Sequence, residues 1–139
     1  MIERRENILA TKIEDLTNRL VKLVIYLKQK GANANYINQI DRCGTSIGAN
    51  FSEAIYAQSR ADYRSKLKIS LKETNETSFW LRKLHTAQSL DDREFASIYK
   101  DVREVVYIMV ATLKTMDKND KLLAENVEHS NEKLPFPNA

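Results

Sequence analysis

The strongest constraint on this chain is its lack of punctuation. Its 139 residues hold two prolines, Pro135 and Pro137, and three glycines, Gly31, Gly44 and Gly48. Proline and glycine are the residues that most often end helices and strands. A chain with so few of them favours long helices over many short strands. Hydrophobic residues make up 42% and charged residues 29%, which at this length is enough to build a core and too apolar for disorder. The chain reads as one domain.

Apolar spacing divides it into four amphipathic segments. The first covers residues 7–30, where Leu9, Ile13, Leu16, Leu20, Leu23 and Leu27 alternate steps of four and three, a heptad seam. Val21, Val24 and Ile25 widen it, and Gly31 suits the residue that closes a helix C-terminus. Asn33 or Asn35 can cap the second segment, which ends near Ser59 and carries Ile40, Ile47, Phe51, Ala54 and Ile55 on one side. A third begins around Arg60 or Ala61 and runs to about Gln88. Its inward face, Tyr63, Leu67, Ser70, Leu71, Thr74, Ser78, Leu81 and Leu84, is rich in hydroxyls and so suits close neighbours. Asp91 can cap the fourth, whose seam is Phe95, Ile98, Val102, Val105, Met109, Thr112 and Met116. Past Asp117 the periodicity fades, and Leu-Pro-Phe-Pro at 134–137 cannot continue a helix. The expected fold is all-α, an antiparallel up-down-up-down four-helix bundle over residues 1–118. Residues 119–139 are expected to form a flexible tail in which Leu122, Leu123 and Val127 extend or dock a final turn. Helices one and four are apolar around more of their circumference than a monomeric bundle requires, which predicts a homo-oligomer.

Several function classes drop out. One cysteine excludes an internal disulfide and fits a reducing compartment. The start, Met-Ile-Glu-Arg-Arg, has no apolar signal core, and no apolar run approaches the ~18 residues of a membrane span. The expectation is a cytoplasmic protein with no membrane role. His85 and His129 stand apart, and neither has the second histidine at i+3 or i+4 that a helical metal site wants. Cys43 has no basic histidine beside it in sequence, and Gly44 and Gly48 lie inside a helix pattern rather than in a phosphate-cradling loop. Glu73 and Glu76 lack the Glu-x-x-His motifs of a carboxylate metal bundle. No enzyme, metal or cofactor is expected.

Two polar faces remain. On the second helix Arg42, Ser46, Asn50 and Glu53 fall within about 80° of one another, mixing cation, hydroxyl, amide and carboxylate with small residues between. Such a stripe suits contact with another element. On the third helix Asp62, Lys66, Glu73, Glu76 and Trp80 share a side, and a covered Arg42 needs a carboxylate acceptor of this kind. The two sets make a polar network between helices or subunits, or else a solvated charged face. The opposite side of the third helix carries Arg60, Arg64, Lys68, Lys72, Arg82 and Lys83, with Phe79 among them. A ridge of this kind neutralises phosphates, and an exposed ring stacks on a base. The net charge of +3 permits an anionic partner without demanding one, so a solubilising face is the alternative.

With those residues laid out, the chain resembles the small bacterial four-helix-bundle proteins of the 23S ribosomal RNA intervening-sequence family. The resemblance is carried by Arg42-Cys43-Gly44-Thr45-Ser46-Ile47-Gly48-Ala49-Asn50-Phe51-Ser52-Glu53-Ala54, then Ala57, Ser59, Asp62 and Tyr63. It continues through Lys66, Ile69, Lys72-Glu73, Glu76 and Trp80-Leu81, and more loosely covers Leu9 to Met116. Cys43 stands where serine or alanine is common, and Gly48 where many relatives have proline. The resemblance implies a bundle that assembles as a ring, a pentamer in relatives, with no established enzyme activity. More distantly the chain is similar to the accessory variability proteins of diversity-generating retroelements, which bind nucleic acid and a reverse transcriptase. The combined expectation is a non-catalytic homo-oligomer that binds RNA or DNA through helix three. The alternative is a ring that serves as a protein-binding adaptor or scaffold.

Overall fold

The computed structural model describes residues 2–132, with side chains described for residues 6–129. Four helices account for nearly all of it: α1 (Ile2–Lys30), α2 (Ala34–Ile55), α3 (Arg60–Thr86) and α4 (Asp92–Glu132). The starts of α2, α3 and α4 each have a local cause. Asn33 caps α2, its side chain accepting from the backbone N–H of Asn35 and Tyr36. Ser59 caps α3 by accepting from the Asp62 N–H. At the head of α4, Asp91 Oδ1 accepts from the Glu94 N–H at 2.7 Å while Glu94 Oε1 accepts from the Asp91 N–H at 2.9 Å. That is a reciprocal capping box.

Each helix packs on two others, α1 on α2 and α4, α3 on α2 and α4. Paired residues rise along one helix as they fall along the next: Lys12 with Glu104 and Arg19 with Asp101 across α1–α4, Arg42 with Glu76 and Lys66 with Glu53 across α2–α3. Arg60 and Arg64 meet Asp120 and Asp117 across α3–α4. The core is where the seams predict it. Leu9, Ile13, Leu16, Leu20 and Leu27 of α1 are buried, as are Ile98, Val102, Val105, Met109, Thr112 and Met116 of α4. Leu23 is half-buried and Val24 is buried.

The hydroxyl-rich face of α3 packs against α2. Ser70 Oγ donates to the Ile47 carbonyl oxygen of α2 at 2.8 Å, and Thr77 Oγ1 lies 3.1 Å from Cys43 Sγ. Thr74 and Thr77 also bond back to their own helix, at 2.7 Å to the Ser70 carbonyl and 2.9 Å to that of Glu73. These bonds let buried hydroxyls sit between closely packed helices without an unmet donor. Gly44 serves the α1–α2 contact: a Cβ there would lie 3.1 Å from Leu20 Cδ1. Cys43 is fully buried, and burial pushes its thiol up, which makes it a packing residue rather than a nucleophile.

α4 is longer than the apolar periodicity indicates. It runs unbroken past Asp117 to Glu132, where the fading pattern predicts a tail from residue 119. Leu122, Leu123 and Val127 are thus helical and remain exposed; residues 133–139 lie outside the described residues. No helix among the described residues is long and apolar enough to cross a membrane. The surplus apolar surface expected on α1 is exposed at Ile8, Val21 and Ile25. On α4 Val106 and Leu113 are turned inward, while Ile108 and Val110 are half-buried.

Candidate nucleic-acid interface

The basic residues of α3 form two differently employed groups. At the start of the helix, Arg60 Nε lies 2.8 Å from Asp120 Oδ1, and the guanidinium of Arg64 bridges Asp117 and Asp120. Arg60 Nη2 also donates to the Met116 carbonyl at 3.4 Å. Two cations therefore face two carboxylates of α4, and their charge is largely compensated locally.

Further along α3 the picture changes. Lys68, Lys72, Arg82 and Lys83 are exposed, and among the described residues none of them has an acidic partner within ion-pair distance. Arg82 donates to the Tyr99 hydroxyl at 3.3 Å, a neutral acceptor. Phe79 keeps 39% of its surface exposed. Lys83 Nζ stands 5.0 Å and the Arg82 guanidinium 5.8 Å from the centre of its ring, and Trp80 meets it edge-on at 4.9 Å. α4 adds a cation to this group. Arg103 donates to Asn75 Oδ1 at 3.0 Å and approaches Ser78 Oγ at 3.5 Å, which sets a fifth uncompensated charge between Lys72 and Arg82. One turn on, Tyr107 is 76% exposed.

The other polar face also assembles. Arg42 Nη1 donates to Glu73 Oε2 at 3.3 Å and Nη2 to Glu76 Oε1. Glu76 is held below the usual carboxylate range, first by that bond from Arg42. Glu73 is pushed up, first by burial and then by its hydrogen bond to Glu76. Trp80 Nε1 is buried beside this pair, close enough to help hold Glu76 down but without a bond of ordinary geometry. The Tyr36 ring packs tilted against that of Trp80, their centres 5.8 Å apart. Lys66 pairs with Glu53 at 2.9 Å. Asn50 Nδ2 donates to both the carbonyl and the hydroxyl of Ser46 at 2.9 Å, and Asp62 Oδ2 accepts from the Gln58 N–H at 3.3 Å. The nine residues of this face thus form one Arg–Glu–Glu cluster with Trp80 beside it and separate local contacts. Among the described residues no helix besides α3 covers the stripe: half of the Arg42 side chain and more than half of that of Glu53 are exposed.

His85 is half-buried, its Nε2 2.7 Å from Asp92 Oδ1 and its ring stacked on Phe95 at 4.4 Å. This is a packing histidine at the α3–α4 turn. Among the described residues no three of His, Cys, Asp and Glu are placed to hold a metal ion.

The protein-family model described as "23S rRNA-intervening sequence protein" matches residues 5–111. The chain belongs to that family. A solved structure from Bacteroides thetaiotaomicron, of a protein with unknown function from the S23 ribosomal protein family, is similar to it at 37% identity with a TM-score of 0.76. The match covers 79% of this chain and 98% of that one. No curated protein matches. The intervening-sequence match takes in all of α2 and α3, and with them both polar faces. Asp117 and Asp120, which engage Arg60 and Arg64, lie beyond it.

Sequence reasoning missed Arg103 and those two aspartates for one reason. Each acts on α3 from α4, and a face drawn on a single helix has no place for its neighbour's side chains.

Proposed function

We propose that this protein binds RNA or DNA, without catalysis, through the open part of the α3 basic face. The observation that supports it is the group Lys68, Lys72, Arg82 and Lys83 with Arg103 of α4. It is a cluster of cations around the exposed Phe79 ring whose hydrogen-bond partners are neutral. Phosphates attract such a group by releasing condensed counterions, and the ring offers a surface on which a base can stack. Self-association belongs to the same reading, as a ring of five by analogy with the family. The uncovered Arg42–Glu73–Glu76 stripe and the exposed Ile8, Val21 and Ile25 of α1 support it, because each is surface of a kind that proteins cover. Repeating the cationic face around a ring multiplies its contacts with one nucleic acid.

The test is fluorescence anisotropy of a labelled structured RNA and a matched DNA duplex, titrated with protein across a salt series, with native mass read on the same sample. Micromolar or tighter binding that weakens steeply with salt is the expected result. Absence of binding at low salt from an assembled protein overturns the reading. Capture of a partner protein with little salt dependence favours the adaptor role instead.

A further inference from the structure

The α4 helix continues after the bundle ends. α3 begins at Arg60, beside Asp120, and α4 runs on for twelve more residues, about 18 Å of helix at the usual rise. Every residue from Lys121 to His129 is exposed, Leu122, Leu123 and Val127 among them at 47%, 62% and 60%. At 100° per residue Asn119, Leu122, Leu123 and Asn126 fall within about 100° of one another, the two asparagines and Leu123 within about 40° of Thr112 and Leu122 about 80° from it. With Arg60 they line an open groove of about 400 Å³. The family match stops at residue 111, and the solved relative is covered almost entirely while a fifth of this chain is left over. The projecting helix lies beyond the residues that the family model matches.

We propose that the projecting helix docks on the same helix of a second copy, running antiparallel to it. Three features point to this occupant. The groove residues read the same in both directions, Asn119-x-x-Leu122-Leu123-x-x-Asn126, as a two-fold contact between identical surfaces requires. Inverting one copy on the other sets Asn119 against Asn126 and Leu122 against Leu123, so side-chain amides bond each other and apolar groups meet apolar groups. The flank of the stripe carries Lys118 and, seven residues on, Glu125. Antiparallel helices bring like flanks together, so each copy's lysine comes beside the other's glutamate; a parallel pair does not do this. Residues 121–129 of the projection are all exposed, and pairing supplies the burial they lack. The contact is independent of what the basic face binds.

The test compares the full chain with the Leu122→Glu/Leu123→Glu variant by sedimentation velocity over a concentration series. The expected result is a wild-type mass twice that of the variant, with equal helical content by circular dichroism. Equal masses at every concentration overturn the proposal. Register is read with Asn119→Cys and Asn126→Cys variants under mild oxidation, against a background in which the native Cys43 is buried. A disulfide-linked dimer in the mixture, and in neither variant alone, is the result expected of antiparallel pairing. Cross-linking of Asn119→Cys to itself, or none in the mixture, overturns it.

Discussion

The two ends of the α3 basic face differ in a way that a helical wheel hides. Arg60 and Arg64 are held by Asp117 and Asp120, whereas Lys68, Lys72, Arg82 and Lys83 meet no acid among the described residues. All six cations lie on the same broad side of one helix. What separates them is the register of α4, which brings two aspartates opposite the start of α3 and an arginine opposite its middle. A carboxylate at hydrogen-bond distance offsets most of the field that a guanidinium projects, while an unpaired ammonium in water attracts phosphate across roughly a Debye length of 8–10 Å. The start of the face is thus a clamp between helices, and the rest is the part with charge to offer a partner.

The largest test of that division reverses the open part. Lys68→Glu/Lys72→Glu/Lys83→Glu is expected to weaken binding to labelled RNA by about 100-fold or more at low salt. The slope of log affinity against log salt is expected to become shallower by about three. Helical content by circular dichroism is expected to be unchanged. Next in size is a gain. Asp117→Asn/Asp120→Asn frees Arg60 and Arg64, and is expected to tighten binding by roughly three- to tenfold while steepening the salt slope. If that variant binds no better than the wild type, the two ends do not belong to one surface. Arg103→Ala set against Arg60→Ala separates the ends one residue at a time. The first is expected to weaken affinity about threefold and to make the salt slope shallower by about one. The second is expected to leave affinity nearly unchanged and to lower stability by about 0.5 kcal/mol, the usual size for a half-exposed pair.

The sequence reveals elements better than it reveals partners. The heptad seams of α1 and α4 mark the buried residues because packing selects side chains at the helical period, and period survives in a single chain. The two turns flanking α2 and α3 show where such reading stops. Gly31 closes α1 with φ +74°, its N–H bonding the Lys28 carbonyl and the next N–H bonding that of Leu27. Gln88 closes α3 with φ +60° and the same pair of bonds, to His85 and Leu84. One is announced by a residue suited to the left-handed region; the other carries no such mark in the sequence. Ser59, placed at the end of the second helix by spacing alone, is the cap of α3. The continuation of α4 to Glu132 is hidden because residues 121–129 are all exposed and no packing there demands a steady period. Arg42 is legible with its carboxylate acceptors because three long polar side chains at matching levels of adjacent helices have few other ways to be satisfied.

That Arg42 cluster, on the far side of α3, supplies the smallest and most direct comparison with the open cations. Its two carboxylates are driven apart. Glu76 is lowered chiefly by Arg42, so its contribution to stability is present above its unfolded-state pKa and is lost as the pH falls through its depressed folded value. Glu73 is raised chiefly by burial, so the folded chain favours its protonated form. That stabilisation is complete below the unfolded-state pKa and is lost as the pH rises through the folded one. Glu76→Gln is therefore expected to lower the melting temperature at neutral pH and to lose its effect in acid. Glu73→Gln is expected to raise the melting temperature slightly at neutral pH and to match the wild type once Glu73 is protonated. Both effects should stay within about 1 kcal/mol, because Arg42 is half-exposed and water screens the pair. Melting curves across the carboxylate range check the signs, and Glu76→Gln without effect at neutral pH breaks the contrast between a face that is already paired and one that is open.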